Sequence, residues 1–245
     1  MAIYRAGAQQ SWYGESIGIL ILNASYPCVP GNVGNASTFP FPVRYKELTE
    51  ATIGGLIWRC DRSLVESFVR AGQELQDEGV KAITGACGFM ALFQREVAQA
   101  LRVPVFLSSL MQLPFIHRML RQDQCIGVIT ADAGSLTEDH FSAAGVDPNV
   151  PIVIAGMETQ PEFSEAVMHE KGTLDSDRIE REVVSVARAL HGEHPHMGAV
   201  LLECSDLPPY AHAIQREIGL PVFDFVTMIS YVHSSVVRRP YDGWM

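Results

Sequence analysis

Two cysteines stand at matching places in this chain. Cys87 follows the apolar run "VKAITGA" and precedes a helical pattern, and Cys204 follows "GAVLLE" and precedes "SDLPPYAHAIQ". In an open parallel sheet, ligands bind beyond the carboxyl ends of the strands. A thiol at that junction therefore faces the ligand, and a nearby helix N-terminus lowers its pKa from about 8.5. Two opposed thiols, one of them ionised, suit removal of a proton from one face of a carbon and delivery to the other. The carbon acid is much weaker than either thiol, so its developing charge needs donors. The N–H groups of Gly88 and Phe89 on one side, and of Ser205 and Asp206 on the other, are expected to hold a carboxylate or enolate oxygen. This chemistry requires no metal and no organic cofactor, and none is expected.

Each candidate also has a plainer reading. Free cysteine is most often a buried small hydrophobe, and Cys60 and Cys125 are read that way. Cys28 lies in a long loop and could line a pocket. Phe89 could be core or substrate wall. Asp206 could tune Cys204 or cap the turn at "LPPY". Glu203 is expected to point to the sheet face opposite Cys204. "HGEHPH" lacks the i, i+4 histidine pair that aims two ligands at one metal and reads as a solvated connection. Cys204 lies between two acids, which raise a thiol's pKa, so Cys87 is expected to rest as the thiolate and Cys204 as the thiol.

The positioning elements are short apolar runs alternating with amphipathic patterns. Strands are expected at 16–23, 80–86, 103–109, 125–131, 151–157, 198–203 and 221–226, with "FPVRYKEL" as a further edge strand. Leu64, Phe68, Ala71 and Leu75 mark one helix face, Phe89, Phe93, Val97 and Leu101 a second, and Ile179, Val183, Val186 and Leu190 a third. Runs apolar throughout imply parallel strands covered on both faces, hence an α/β fold. A shift of 117 positions superposes Cys87 on Cys204 and Pro104-Val105-Phe106 on Pro221-Val222-Phe223. The chain thus reads as two pseudo-symmetric lobes facing one cleft. The first is expected to hold 1–110 and 221–245 with Cys87, the second 111–220 with Cys204. Residues 24–42, rich in Pro, Gly and Asn, form a loop long enough to be functional.

The formal net charge is −10 with no basic cluster, which argues against nucleic acid and anionic membranes as partners. The longest apolar run, 17–22, is far too short to span a bilayer. Five cysteines, an odd and low count, and a start without an apolar signal core point to free thiols in the cytoplasm.

With these residues in view, the chain resembles the aspartate/glutamate racemase superfamily, "GACGF" and "LECSD" standing at its two catalytic-cysteine positions. The resemblance implies a racemase or epimerase with Cys87 and Cys204 catalytic, a small carboxylate substrate, no cofactor, and a homo-oligomer, dimer or tetramer. Glutamate racemases carry Cys-Asn-Thr and Cys-Thr-His here, so the departures at Gly88-Phe89 and Ser205-Asp206 count against glutamate. Keeping both cysteines counts against arylmalonate decarboxylases. "ILN" is similar to the hydantoin-racemase start, which implies Asn23 as a substrate contact and Thr130 as its counterpart in the second lobe. A narrower likeness, "YPCVPGNVGNASTFPFPVRY" with "ITGACGFMALFQ", resembles the algal dimethylsulfoniopropionate lyases and brings in Tyr26 as a substrate contact. It implies elimination as the alternative to racemisation. A binder that has lost catalysis is a third reading, against which the intact cysteine pair argues.

Overall fold

The computed structural model describes Ile3, Ala6 and residues 10–245. Eight strands among the described residues form two parallel sheets of identical order. The first sheet contains β1 (Ile17–Leu22), β2 (Val43–Leu48), β3 (Ala82–Gly85) and β4 (Val105–Phe106), in the order β2-β1-β3-β4. The second contains β5 (Cys125–Thr130), β6 (Ile152–Gly156), β7 (Met197–Leu202) and β8 (Val222–Phe223), in the order β6-β5-β7-β8. Repeated topology is the structural counterpart of the 117-residue repeat. "FPVRYKEL" supplies the edge strand β2, as expected.

The central strands are buried because helices cover both faces of each sheet. α1 (Val65–Asp77) lays Phe68, Ala71 and Leu75 into the core. The expected helix from Phe89 divides into a 3₁₀ segment, Gly88–Phe93, and α2 (Gln94–Ala100). Phe93 at the junction stacks on Phe68 with ring centroids 4.4 Å apart. α3 (Leu113–Met119) crosses to the second lobe. There α4 (Glu138–Ala143), the short α5 (Pro161–Phe163), α6 (Ser176–Glu193) and α7 (Ala211–Ile218) surround the second sheet. α8 (Phe225–Val236) returns to the first sheet, where Phe225, Met228 and Ile229 pack with Ile17, Ile19 and Phe106.

This return differs from the expected division in one detail. β8 pairs with β7, Val200 opposite Val222, so 221–223 remain with the second sheet. The chain crosses at Asp224, whose carboxylate caps α8 by accepting from the Thr227 N–H at 2.7 Å. The capping box, rather than the Pro-Val-Phe strand, marks the crossing. His191 lies in the last turn of α6 and His194 caps that helix, so "HGEHPH" is helix end and turn. No helix among the described residues is long and apolar enough to cross a membrane.

Candidate active site

Cys87 and Cys204 each sit just past the end of the third strand of their sheets, β3 and β7. Both line one narrow cleft between the lobes. They are 8% and 6% exposed, so the sulfurs are nearly withdrawn from solvent. Their neighbourhoods differ. Cys204 donates its thiol hydrogen to Asp206, Sγ to Oδ2 3.4 Å. The N–H groups of Phe89 and Met90 favour negative charge on Cys87. The 3₁₀ turn begins directly after the thiol, which brings these two N–H groups to its sulfur. Burial pushes both thiols well above the ordinary thiol range. Acids add to the rise, Glu203 foremost at Cys87 and Asp206 at Cys204. Glu203 and Asp206, expected to act on Cys204, thus act on Cys87 as well.

Asp206 is a convergence point. Its carboxylate accepts from Asn32 Nδ2 at 2.5 Å, Tyr26 O–H at 3.3 Å and the Cys204 thiol. It is not a helix cap: Leu207 holds the N-cap position of the turn Pro208–Tyr210. Burial raises its pKa, and its three hydrogen bonds oppose that rise. Tyr26 and Asn32 come from the 24–42 loop, which leaves the first lobe and packs on the second. Val33 N–H donates to the Ser205 carbonyl at 3.3 Å. Gly31, with φ +100°, lies so close to Pro209 that a Cβ would sit 2.7 Å from the Pro209 Cα. Only glycine adopts that conformation cheaply, and only glycine allows this approach. The loop is one wall of the cleft.

Other expected residues are placed variously. Phe89 lines the cleft while fully buried, its ring edge-on to His140 with centroids 5.0 Å apart. Burial holds His140 at a pKa of about 4, so it packs as a neutral ring. Ser205 lines the cleft and its hydroxyl donates to the Ala86 carbonyl at 2.7 Å, tying the two cysteine loops together. Thr130 stands behind the cleft and donates to Glu203 Oε2 at 2.8 Å. Gly88 touches the Glu203 carboxyl. Asn23 is not brought into the cleft: it is exposed and its amide donates to the Thr49 carbonyl at 2.9 Å, closing the turn after β1. Cys28 borders the adjoining space beside Tyr26 and Asn32, with a pKa pushed by burial to about 11. Cys60 and Cys125 are half-buried and pack against the core.

Sequence reasoning missed Glu203. Period-two alternation put it on the opposite face from Cys204, but β7 ends at Leu202, and the alternation ends with it. Glu203 turns into the same cleft, fully buried. Also missed were two π-helical turns at equivalent places, Gly54–Trp58 and Ser164–Met168. They bring Ile57 from one lobe and Val167 and Met168 from the other into the cleft. Such turns recur at functional sites. Nothing in residue periodicity marks them.

The resulting cleft has two thiols, two acids, a phenol and apolar walls. The described residues that line it include no lysine, arginine or histidine.

Comparison with known proteins places this geometry in a wider set. The Asp/Glu/hydantoin racemase family matches over residues 69–229. Dimethylsulfoniopropionate lyase from Durusdinium sp. clade D is 30% identical over 239 residues, covering 93% of this chain and 77% of that protein. Dimethylsulfoniopropionate lyase 3 of Emiliania huxleyi (strain CCMP1516) is 31% identical over 242 residues, and the chain spans 61% of its length. Among solved structures, the aspartate racemase of Picrophilus torridus superposes with a TM-score of 0.58 at 14% identity, over 90% of this chain and 94% of that one. Unliganded arylmalonate decarboxylase gives 0.57 at 15%, over 91% and 92%. These two share the fold.

Proposed function

The chain belongs to the Asp/Glu/hydantoin racemase family, an enzyme of the isomerase or carbon–sulfur lyase kind, and we propose that it is a lyase that eliminates a dialkyl sulfide from a small sulfonium carboxylate. The observation that carries this reading is the charge of the cleft. Asp206, a carboxylate held by three hydrogen-bond donors in a lining without a basic side chain among the described residues, suits a cationic head better than a second carboxylate. Asp206 faces the cation electrostatically, and Tyr26 and Phe89 supply aromatic side chains to the same lining. The relatives' names, dimethylsulfoniopropionate lyase, supply the sulfonium class.

In this mechanism Cys87 is the base. The N–H groups of Phe89 and Met90 favour its thiolate, and the substrate's cation offsets the cost of burying that charge. The thiolate takes the proton from the carbon next to the carboxylate. The C–H electron pair becomes the new C=C bond. The neighbouring C–S bond breaks with its electrons going to sulfur, which leaves as neutral dialkyl sulfide. The products are an unsaturated carboxylate, the sulfide and a protonated Cys87, which returns its proton to solvent. Cys204, hydrogen-bonded to Asp206, remains a thiol and shapes the opposite side.

A second reading, racemisation of a small carboxylate, is favoured by the equivalence of the two cysteines across the lobes. In that reaction Cys204 would deliver the second proton. The experiment that separates them incubates the protein with dimethylsulfoniopropionate and, separately, with single enantiomers of small 2-substituted carboxylates. Dimethyl sulfide in the headspace supports elimination. Loss of optical rotation without sulfide supports racemisation.

A further inference from the structure

Glu203 is completely buried, yet one of its carboxyl oxygens has no partner. Thr130 Oγ1 donates to Oε2 at 2.8 Å, while Oε1 has no hydrogen bond among the described residues. The backbone of Glu203 is fixed from behind by Ser109, whose hydroxyl donates to its carbonyl at 3.2 Å. Oε1 lies against the Cα of Gly88, one residue past Cys87. A Cβ built on Gly88 would stand 1.9 Å from it. The unpartnered oxygen therefore faces the Cys87 turn of the first lobe, and Glu203 lines the cleft together with both thiols.

We propose that Glu203 is a carboxylic acid kept neutral, whose O–H on Oε1 donates a hydrogen bond to the substrate's carboxylate and strengthens it as the neighbouring carbon loses its proton to Cys87. This rests on reading the cleft as a carboxylate site, and it adds a third chemical group to the two thiols. The proton on Glu203 stays on Glu203, and the carbon's proton goes to the Cys87 sulfur.

Several observations support it. An ionised Glu203 would be a buried charge with a single donor for two oxygens, which is costly. A substrate carboxylate arriving beside it would be a second negative group, and adjacent carboxyls share one proton rather than ionise together. The other titratable groups facing it are Cys87 from the first lobe and Cys204 and Asp206 from its own loop. All of them would be anions if ionised, so each favours the neutral acid. Burial, the largest influence, pushes the carboxyl up to about 8. The Thr130 bond opposes the rise and Asp206 adds to it. A neutral Glu203 also removes the foremost charge that opposes ionisation of Cys87, and a neutral buried acid is an established device for stabilising an enolate oxygen.

The test uses propionate, the carboxylate fragment without a leaving group, and the intact protein. Its affinity is measured by calorimetry at pH 7 and pH 9 in wild type, Glu203→Gln and Glu203→Ala. If only the acid form binds, wild-type affinity should be about tenfold weaker at pH 9 than at pH 7. Glu203→Gln, which keeps a donor but cannot ionise, should bind about equally at both. Glu203→Ala should bind more weakly than Glu203→Gln at pH 7. The same pH dependence in wild type and Glu203→Gln overturns the proposal, as does absence of propionate binding to wild type at pH 7. If Glu203→Ala does not fold, the comparison of wild type with Glu203→Gln still decides. A dimethyl sulfide assay on the same samples separates the two claims. The propionate pattern without sulfide release leaves this inference standing and removes the lyase reading. Sulfide release with the same pH dependence in both proteins does the reverse.

Discussion

The Cys204 thiol points at Asp206, Sγ to Oδ2 3.4 Å, whereas the Cys87 sulfur is served by the N–H groups of Phe89 and Met90. One cysteine is a hydrogen-bond donor to an acid and the other is supported as an acceptor. Burial and acids oppose negative charge at both, but Cys87 has two N–H donors to offset this and Cys204 only that of Asp206, so the charge is less opposed at Cys87. Cys87 should be alkylated by iodoacetamide faster than Cys204 at every pH between 7 and 9. Asp206→Asn should accelerate Cys204 and narrow the gap. Peptide mass spectrometry over time reads both rates. Faster labelling of Cys204 in wild type would reverse the assignment of base.

Removal of each thiol tests whether one or both act in chemistry. Loss of a positioned general base costs typically on the order of 10² to 10⁴ in rate. Cys87→Ser should fall by that much in both elimination and exchange of the substrate's carbon-bound proton with deuterated water. Cys204→Ser should retain exchange while turnover drops less. Equal, unimpaired turnover in both variants would sink any mechanism based on the thiols.

Asp206 is proposed to face the cation, and its amide analogue keeps the shape while removing the charge. Asp206→Asn should raise KM for a sulfonium carboxylate by roughly tenfold, the scale of a partly desolvated cation contact at about 1.4 kcal/mol. Propionate, which lacks the cation, should bind at least as well as before. Equal weakening of both ligands would mean that Asp206 only holds the 24–42 loop through Asn32 and Tyr26.

Much of this architecture was legible in the residues. Uniformly apolar runs marked the parallel strands, and the Cys87/Cys204 and Pro104/Pro221 correspondence marked the repeat. What escaped has a common physical cause: it lies where regular periodicity stops. Glu203 falls one residue beyond β7, so alternation sends it to the wrong face. Asn23 is spent on a local turn to Thr49, a competition between backbone and ligand that strand position does not reveal. Asn32 reaches Asp206 only because the long loop folds over the other lobe, a contact between residues 174 positions apart.

Glu203 should also leave a mark on stability. Its carboxyl keeps its proton to about 8 in the folded chain, against an ordinary 4.5. Between those values the unfolded chain releases a proton that the folded chain holds. Stability thus declines as pH rises from 4.5 to about 8 and no further from this source. At about 1.4 kcal/mol per pH unit the loss is on the order of 5 kcal/mol. Glu203→Gln should lack this slope, so urea unfolding at pH 5 and pH 8 should show wild type losing more between them. Equal losses in both proteins would mean that Glu203 is ionised in the fold.

The contact between Gly88 and Glu203 leaves no room for a side chain at residue 88. A methyl at residue 88 would stand 1.9 Å from Glu203 Oε1 and 2.6 Å from the Glu203 carbonyl oxygen. The first clash is with a side chain that can turn away, and the second is with backbone. The lobes must separate to admit it, which also strains the Ser205–Ala86 bond between the cysteine loops. Gly88→Ala should cost activity by at least 10²-fold, the scale reported for small misplacement of reacting groups. Adding Glu203→Ala should relieve the side-chain clash but not the backbone one, so the double variant should remain impaired. Activity of Gly88→Ala within a few-fold of wild type would mean that the cleft opens freely at this point and that the close approach of the two cysteine loops is not required for turnover.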